Sequence, residues 1–208
     1  MKLACVRKNI MSYRKEKKYK FTFSEMFSIK ENFLKKGMKQ LYPSRIINSC
    51  YFDNQQLKLF HDSEEGVLPR KKVRIRWYNK NKIFTKETKI SSIEGRFKYA
   101  ETISDILEFE DLYKMKIIDN IYGELKPLIL VKYNREYYKY KNLRITFDKN
   151  ISYNYLKLNT KPNFFDQETV MEVKTSNNCD DNYIEDLVKH PTSRFSKYTR
   201  GILHSNIF

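Results

Sequence analysis

Cysteine and histidine are scarce in this chain of 208 residues, with three of each. Cys5, Cys50 and Cys179 lie far apart, no C-x-x-C pair occurs, and no histidine cluster stands near any of them. The sequence therefore predicts neither a disulfide framework nor a zinc site, only plain thiols in a reducing compartment. His61, His190 and His204 are equally scattered, which leaves a Ser/His or Cys/His nucleophile nothing to build on. There is no glycine-rich phosphate loop and no Rossmann-type fingerprint. No apolar run approaches the roughly 20 residues that a membrane-spanning helix needs. The first residues, with charges at Lys2, Arg7 and Lys8, lack the apolar segment of a signal peptide, so a cytoplasmic location is expected. No low-complexity linker interrupts the chain, and residues 1–208 read as one domain.

What the chain does have is positive charge. Lys and Arg total 41 against 25 Asp and Glu, a net charge of +16. Such an excess points to nucleic acid, anionic lipid or polyanionic small molecules, and where the charge sits decides among them. The clearest placement is Arg70–Tyr78, RKKVRIRWY, where charge and bulk alternate with a period of two. Lys72, Arg74 and Arg76 share one face of this strand, and Val73, Ile75 and Trp77 the other. Other predicted strands carry similar rows. Tyr13 to Phe23 has Glu16 and Lys18, Ile83 to Ile90 has Glu87 and Lys89, and Glu168 to Thr175 has Glu172 and Lys174. A stretch after Gly95 carries Arg96 and Lys98, and a hairpin of Pro127–Tyr140 with Leu143–Lys149 carries Tyr133 and Arg135 on one arm, Arg144, Thr146 and Asp148 on the other. Each Glu-x-Lys alone is an ordinary solvated strand face; their recurrence on separate strands predicts that the rows converge inside a β-barrel.

Helical spacing is expected elsewhere. Ser24 and Gly37 bracket an amphipathic helix with Met26, Ile29 and Phe33 on one stripe. Tyr42-Pro43 reads as a break before a strand at Ile46–Asp53, and Leu57–Asp62 as a helical turn. Ile103–Ile121, with Ile106, Leu107, Leu112, Met115 and Ile118, reads as a helical insertion on the outside of the barrel, and Asp180–Lys189 as a further helix. The fold class predicted is α+β, a barrel with helices packed outside.

Many like charges in a small volume need an anionic companion, because unpaired buried charge is expensive. A triphosphate or polyphosphate supplies it, its oxygens accepting from Arg forks and Lys ammonium groups in turn. Glu16, Glu87 and Glu172 near the same ligand would hold Mn2+ or Mg2+, which take oxygen ligands and bridge phosphate oxygens. Such a site transfers phosphoryl groups by positioning and charge neutralisation, without a covalent nucleophile.

The order Arg14-x-Glu16-x-Lys18-Tyr19, Asn48-Ser49-x-Tyr51-Phe52-Asp53, Arg70-x-Lys72-Val73-Arg74-Ile75-Arg76-Trp77-Tyr78, Glu87-x-Lys89, Tyr133-x-Arg135, Arg144-Ile145-Thr146-x-Asp148, Glu172-x-Lys174 and Ser196-Lys197-Tyr198 resembles the VTC polyphosphate-polymerase domain, one of the triphosphate tunnel metalloenzymes of the CYTH-like superfamily. The resemblance implies an eight-stranded antiparallel tunnel that passes the γ-phosphate of ATP to a growing polyphosphate chain with a divalent metal. It implies phosphate ligands at Lys18, Arg74, Arg76, Lys89, Lys98, Arg135 and Arg144, with Lys72 and Lys174 beside them, closure by Arg194 and Lys197, and metal held by Glu172, then Glu16 and Glu87. The fused phosphate-sensing domain and membrane helices of eukaryotic relatives have no counterpart here, so export of product would require association with a membrane partner.

Two other readings stay open at this stage. The same fold hydrolyses inorganic or nucleoside triphosphate when water is the acceptor. A non-catalytic binder of polyphosphate or RNA would use the charge for affinity alone. The in-barrel alternation argues against a surface patch for nucleic acid.

Overall fold

A two-residue period of charge and bulk dictates a strand with one charged and one apolar face, and Arg70–Tyr78 forms one. The computed structural model describes residues 14–104, 109–156 and 164–205. Cys5, Tyr13, Ile106, Leu107 and the side chain of Arg14 lie outside the described set. In chain order the elements are β1 (Arg14–Phe21), α1 (Phe23–Lys35), β2 (Lys39–Asp53), α2 (Lys58–Glu65), β3 (Arg70–Tyr78), β4 (Phe84–Ser92), β5 (Gly95–Ile103), α3 (Phe109–Lys114), β6 (Ile117–Asp119), β7 (Gly123–Tyr140), β8 (Leu143–Tyr155), β9 (Phe164–Phe165), β10 (Thr169–Ser176), α4 (Asp181–Val188) and α5 (Lys197–His204).

Eight strands make one antiparallel path, β1-β10-β8-β7-β2-β3-β4-β5, with β6 beside β7 and β9 beside β8. The path curls into a half-barrel. The curl shows in the charges: Lys89 on β4 feels Glu16 on β1 and Lys174 on β10, strands at the far end of the path.

The convex face is apolar and covered. Tyr19, Phe21, Ile145, Phe147, Met171 and Val173 pack under α1 and α4, and Val73, Ile75 and Trp77 share a second cluster with Leu112 of α3. The concave face is divided. Its apolar part, including Tyr51, Ile129, Val131 and Tyr153, receives Tyr198 and Ile202 of α5 and Phe60 of α2. Burying such side chains is worth about 1.5–3 kcal/mol each, so this contact fixes α5 against the inside of the sheet. Gly201 permits the approach, since a Cβ there would lie 2.5 Å from Ile129 Cδ1 and 2.6 Å from Tyr153 Cδ1. The rest of the concave face carries the charged rows.

Several local expectations change. The N-cap of α1 is Thr22, not Ser24: Thr22 Oγ1 accepts from the Glu25 backbone while Glu25 accepts from the Thr22 backbone, a capping box written in the sequence as T-F-S-E. Pro43 does not break β2. It falls where β2 pairs with β7 alone, in a stretch whose register shifts on either side of Tyr42, so its missing N–H leaves no ladder bond unmade. Ile103 closes β5, and from there to Ile121 the described residues hold only the short α3, then β6, with Ile118 exposed rather than packed. β8 runs on to Tyr155 through Asn150, whose positive φ of 53° accompanies a register shift against β7.

Candidate active site

Strand register decides which side chains meet. Across β2, β3 and β4, Tyr51 pairs with Arg74 and Arg74 with Glu87, while Ser49 pairs with Arg76. Lys72 pairs with Lys89, and Lys89 with Lys98 on β5. In the other half Arg135 pairs with Asp148, Thr146 with Glu172, Arg144 with Lys174, Glu172 with Lys18 and Lys174 with Glu16. Because side chains alternate, all of these stand on the concave face. Lys197 joins them from the first turn of α5, capped by Ser196. Thus Lys18, Lys72, Arg74, Arg76, Lys89, Lys98, Arg135, Arg144, Lys174 and Lys197 face Glu16, Glu87, Asp148 and Glu172, and cations outnumber carboxylates more than two to one.

The carboxylates form the floor and the cations rise from it. Asp148, with its side chain 1% exposed, takes two bonds from Arg135, Nε to Oδ1 at 2.6 Å and Nη2 to Oδ2 at 2.7 Å, and a third from Lys197 Nζ at 2.6 Å. Burial acts to raise its pKa, but Arg135 and Lys197 outweigh burial and hold the carboxyl below its ordinary value. Glu87 accepts from Arg74 Nε at 2.7 Å and Nη2 at 2.5 Å, and from Lys98 Nζ at 2.5 Å, with Arg76 at 3.7 Å. It too is depressed against the effect of burial, by Arg74, Arg76 and Lys98. Arg74 gives its remaining fork to Tyr51 Oη at 2.8 Å, and Arg76 reaches Tyr133 Oη at 3.2 Å and Ser49 Oγ at 3.3 Å.

Glu16 and Glu172 are neighbours. Burial and Glu172 both act to raise Glu16, and Lys18, Lys174 and Lys89 overcome them. Lys174 spans the pair, 2.6 Å from Glu172 and 3.4 Å from Glu16. Thr146 Oγ1, buried opposite Glu172 in the register, has no hydrogen-bond partner among the described residues.

Two lysines hold the segment that leads into α5. Lys18 Nζ donates to the Phe195 carbonyl at 3.0 Å and Lys72 Nζ to Ser196 Oγ at 2.9 Å. Burial, then Lys18, Arg70 and Arg194, push the Lys72 ammonium down to about 8 against the effect of Tyr51. Lys89 has no hydrogen bond or ion pair among the described residues; solvent reaches it although protein surrounds it, as for a side chain standing in a lumen. Arg144 is exposed over the Tyr137 ring. Arg194 donates to the Ser63 and Glu64 carbonyls at the end of α2, near enough to Lys72 to depress it.

Strand-face patterning alone gives no site role to Asp148, Tyr51, Tyr133 or Asp53. Tyr51 stacks on Tyr198 at 5.1 Å between centroids, and Tyr198 donates to Asp53, which also accepts from the backbones of Leu59 and Phe60. This chain ties Arg74 to α5 and α2. The same face alternation that located Arg144 also reached Thr146 and Asp148, so the signal for Asp148 was present.

A curled antiparallel sheet whose concave face is lined by cations over buried carboxylates is the half-barrel of the triphosphate-tunnel fold. The fold is similar to a candidate adenylate cyclase from Bacillus halodurans (TM-score 0.59, 12% identity, 90% of this chain and 95% of that one) and to another from Vibrio parahaemolyticus (0.53, 14%, 92% and 98%). It is also similar to a candidate adenylyl cyclase from Hippeastrum described as having a dominant triphosphatase activity (0.54, 14%, 91% and 95%). The chain belongs to the VTC domain family, whose profile matches residues 13–206. No curated protein matches the sequence. Among the described residues no helix is long and apolar enough to cross a membrane.

Proposed function

We propose that this protein transfers the γ-phosphoryl group of ATP to the end of an inorganic polyphosphate chain lying in the half-barrel. The observation that carries the reading is the excess of cations over carboxylates on one concave face, with Arg74 and Arg135 each oriented by a buried carboxylate. Removing charge from water is costly, and a polyanion threaded among Arg74, Arg76, Arg135, Lys89 and Lys197 offsets that cost along its length. The terminal oxygen of the chain forms the new P–O bond as the bond to the β-phosphate breaks and ADP leaves. The arginines, Lys89 and Lys197 neutralise the charge that shifts between the oxygens, and Glu87 and Asp148 keep Arg74, Arg135 and Lys197 aimed. Arg144 and Lys98 take phosphates nearer the rims, and Lys18, Lys72, Lys174 and Arg194 complete the ring.

A divalent ion fits this donor set at Glu172 and Glu16. The two carboxylates are adjacent, the buried Thr146 hydroxyl beside Glu172 has no hydrogen-bond partner among the described residues, and substrate oxygens would supply the remaining ligands. Mn2+ or Mg2+ bound there would supply charge neutralisation at phosphate oxygens. Glu87 already serves three cations, and its part in this proposal is to hold Arg74.

Hydrolysis is the second reading, favoured by the fold shared with the Hippeastrum protein and its described triphosphatase activity. Incubation with ATP and Mn2+ or Mg2+, followed by a gel stained for polyphosphate and assays for ADP and phosphate, separates the two. Polymer with ADP is expected; phosphate with ADP and no polymer would assign hydrolysis.

A further inference from the structure

We propose that Tyr42, Arg45, Tyr78 and Tyr137 form a platform for the nucleobase of the phosphoryl donor, at the rim of the lumen beside the turn from β3 to β4. The inference rests on the tunnel reading above and adds the part of the donor that phosphate ligands do not touch. The guanidinium carbon of Arg45 lies 6.0, 5.8 and 5.9 Å from the ring centroids of Tyr42, Tyr78 and Tyr137. Tyr42 and Tyr137 meet edge to face at 5.9 Å, and Arg144 lies 6.0 Å over Tyr137. Neither Arg45 nor Arg144 has a carboxylate partner among the described residues, and both are exposed. Tyr42 is 48% exposed. Structural salt-bridging therefore does not explain the cluster, and core packing does not explain Tyr42.

Its position supplies the reason. Arg45 is the register partner of Arg135, and Tyr137 is two residues beyond Arg135 on the same face. A triphosphate held at Arg135 thus has its next group beside Tyr42, the exposed ring that sits edge to face on the buried Tyr137. The negative face of an aromatic ring offers nothing to phosphate oxygens, but it stacks a planar base, as does a guanidinium. The irregular stretch of β2 around Pro43, shifted in register on both sides of Tyr42, turns that tyrosine out to the rim. Stacking reads ring size more than ring edge, so ATP and GTP should bind alike and UTP more weakly.

The test measures binding of a non-transferable methylene analogue of ATP, of inorganic tripolyphosphate and of long-chain polyphosphate by calorimetry, in wild type, Tyr42→Ala and Tyr42→Phe. Neither substitution changes charge. Tyr42→Ala should weaken the analogue about fivefold to tenfold and leave tripolyphosphate within about twofold, and Tyr42→Phe should resemble wild type. Equal effects on the analogue and tripolyphosphate, or no effect on either, would overturn the platform while leaving the tunnel intact. Selective weakening of long polyphosphate would overturn it by assigning the rim to the product. Failure of wild type to bind tripolyphosphate would remove the tunnel reading and the platform together.

Discussion

Arg135 lies across Asp148 with two near-parallel hydrogen bonds of 2.6 and 2.7 Å, and the carboxylate beneath is almost fully buried. This geometry fixes the fork in one orientation, its third nitrogen without a hydrogen bond among the described residues. Lysine has no such fork. Arg135→Ala is expected to cut turnover by about 100-fold or more, and Arg135→Lys to recover little of it. Steady-state rates with ATP measure both; a lysine variant at wild-type rate would contradict the positioning role of Asp148.

Asp148→Asn removes the charge that Arg135 and Lys197 share. Breaking one partner out of a buried pair costs about 3–5 kcal/mol, because the remaining cations stay where they are. Urea unfolding should show that loss, and added tripolyphosphate should restore part of it by supplying the missing negative charge. Loss without any restoration would mean that the cations do not face a site open to anions.

Acid should act through the same carboxylates. Glu87, Glu172 and Asp148 are all held below their ordinary values of 4.5, 4.5 and 3.8 in the folded protein. The unfolded chain then binds more protons as pH falls through and below about 4.5, so their contribution is complete above that range and drains away beneath it. Urea midpoints at pH 7, 5 and 3.5 should be close for the first pair and fall sharply at the last.

Lys72 is shifted in the same direction, downward, and acts in an alkaline window. Its folded ammonium titrates at about 8 against an ordinary 10.5, so the unfolded chain binds more protons between these values and stability gains with pH across the window. A bound polyanion favours the charged form and restores the proton. Tripolyphosphate binding at pH 8 should therefore take up protons, seen as a dependence of calorimetric heat on buffer ionisation enthalpy. Lys72→Met should diminish that uptake.

Gly201→Ala tests how α5 holds Lys197. The added methyl meets Ile129 and Tyr153 at distances no side chain tolerates, so α5 or those two side chains must shift. Overpacking of this kind costs about 1–3 kcal/mol. The melting temperature should fall, and tripolyphosphate affinity with it, because Lys197 and Ser196 sit on the same helix; an unchanged affinity would separate α5 from the site.

Strand-period rows made most of the lumen legible. Arg74, Glu87, Arg135 and Glu172 each lie in a run where charge alternates with bulk, and the pattern fixed both element and face. Tyr51 and Tyr133 were harder, since a tyrosine in a strand reads equally as core or as site, and only register reveals that their hydroxyls meet Arg74 and Arg76. Helix α5 was hidden because its inward face depends on a glycine contact 48–72 residues distant in the chain. The apolar spacing of Ile103–Ile121 suggested a long helix, but tertiary pairing draws Ile117–Asp119 into a strand beside β7.

Above all, the charged rows converge on an interior face rather than spreading over a surface. A thermal-shift series with tripolyphosphate, sulfate at equal ionic strength and duplex DNA at physiological salt tests it most directly. A ligand that binds only the folded state at about 100 times its Kd adds roughly 2.7 kcal/mol. Tripolyphosphate should stabilise most because it spans several ligands at once, sulfate less, and duplex DNA least because it is too wide for the lumen and limited to screened contacts. Duplex DNA ranking first would contradict the interior site.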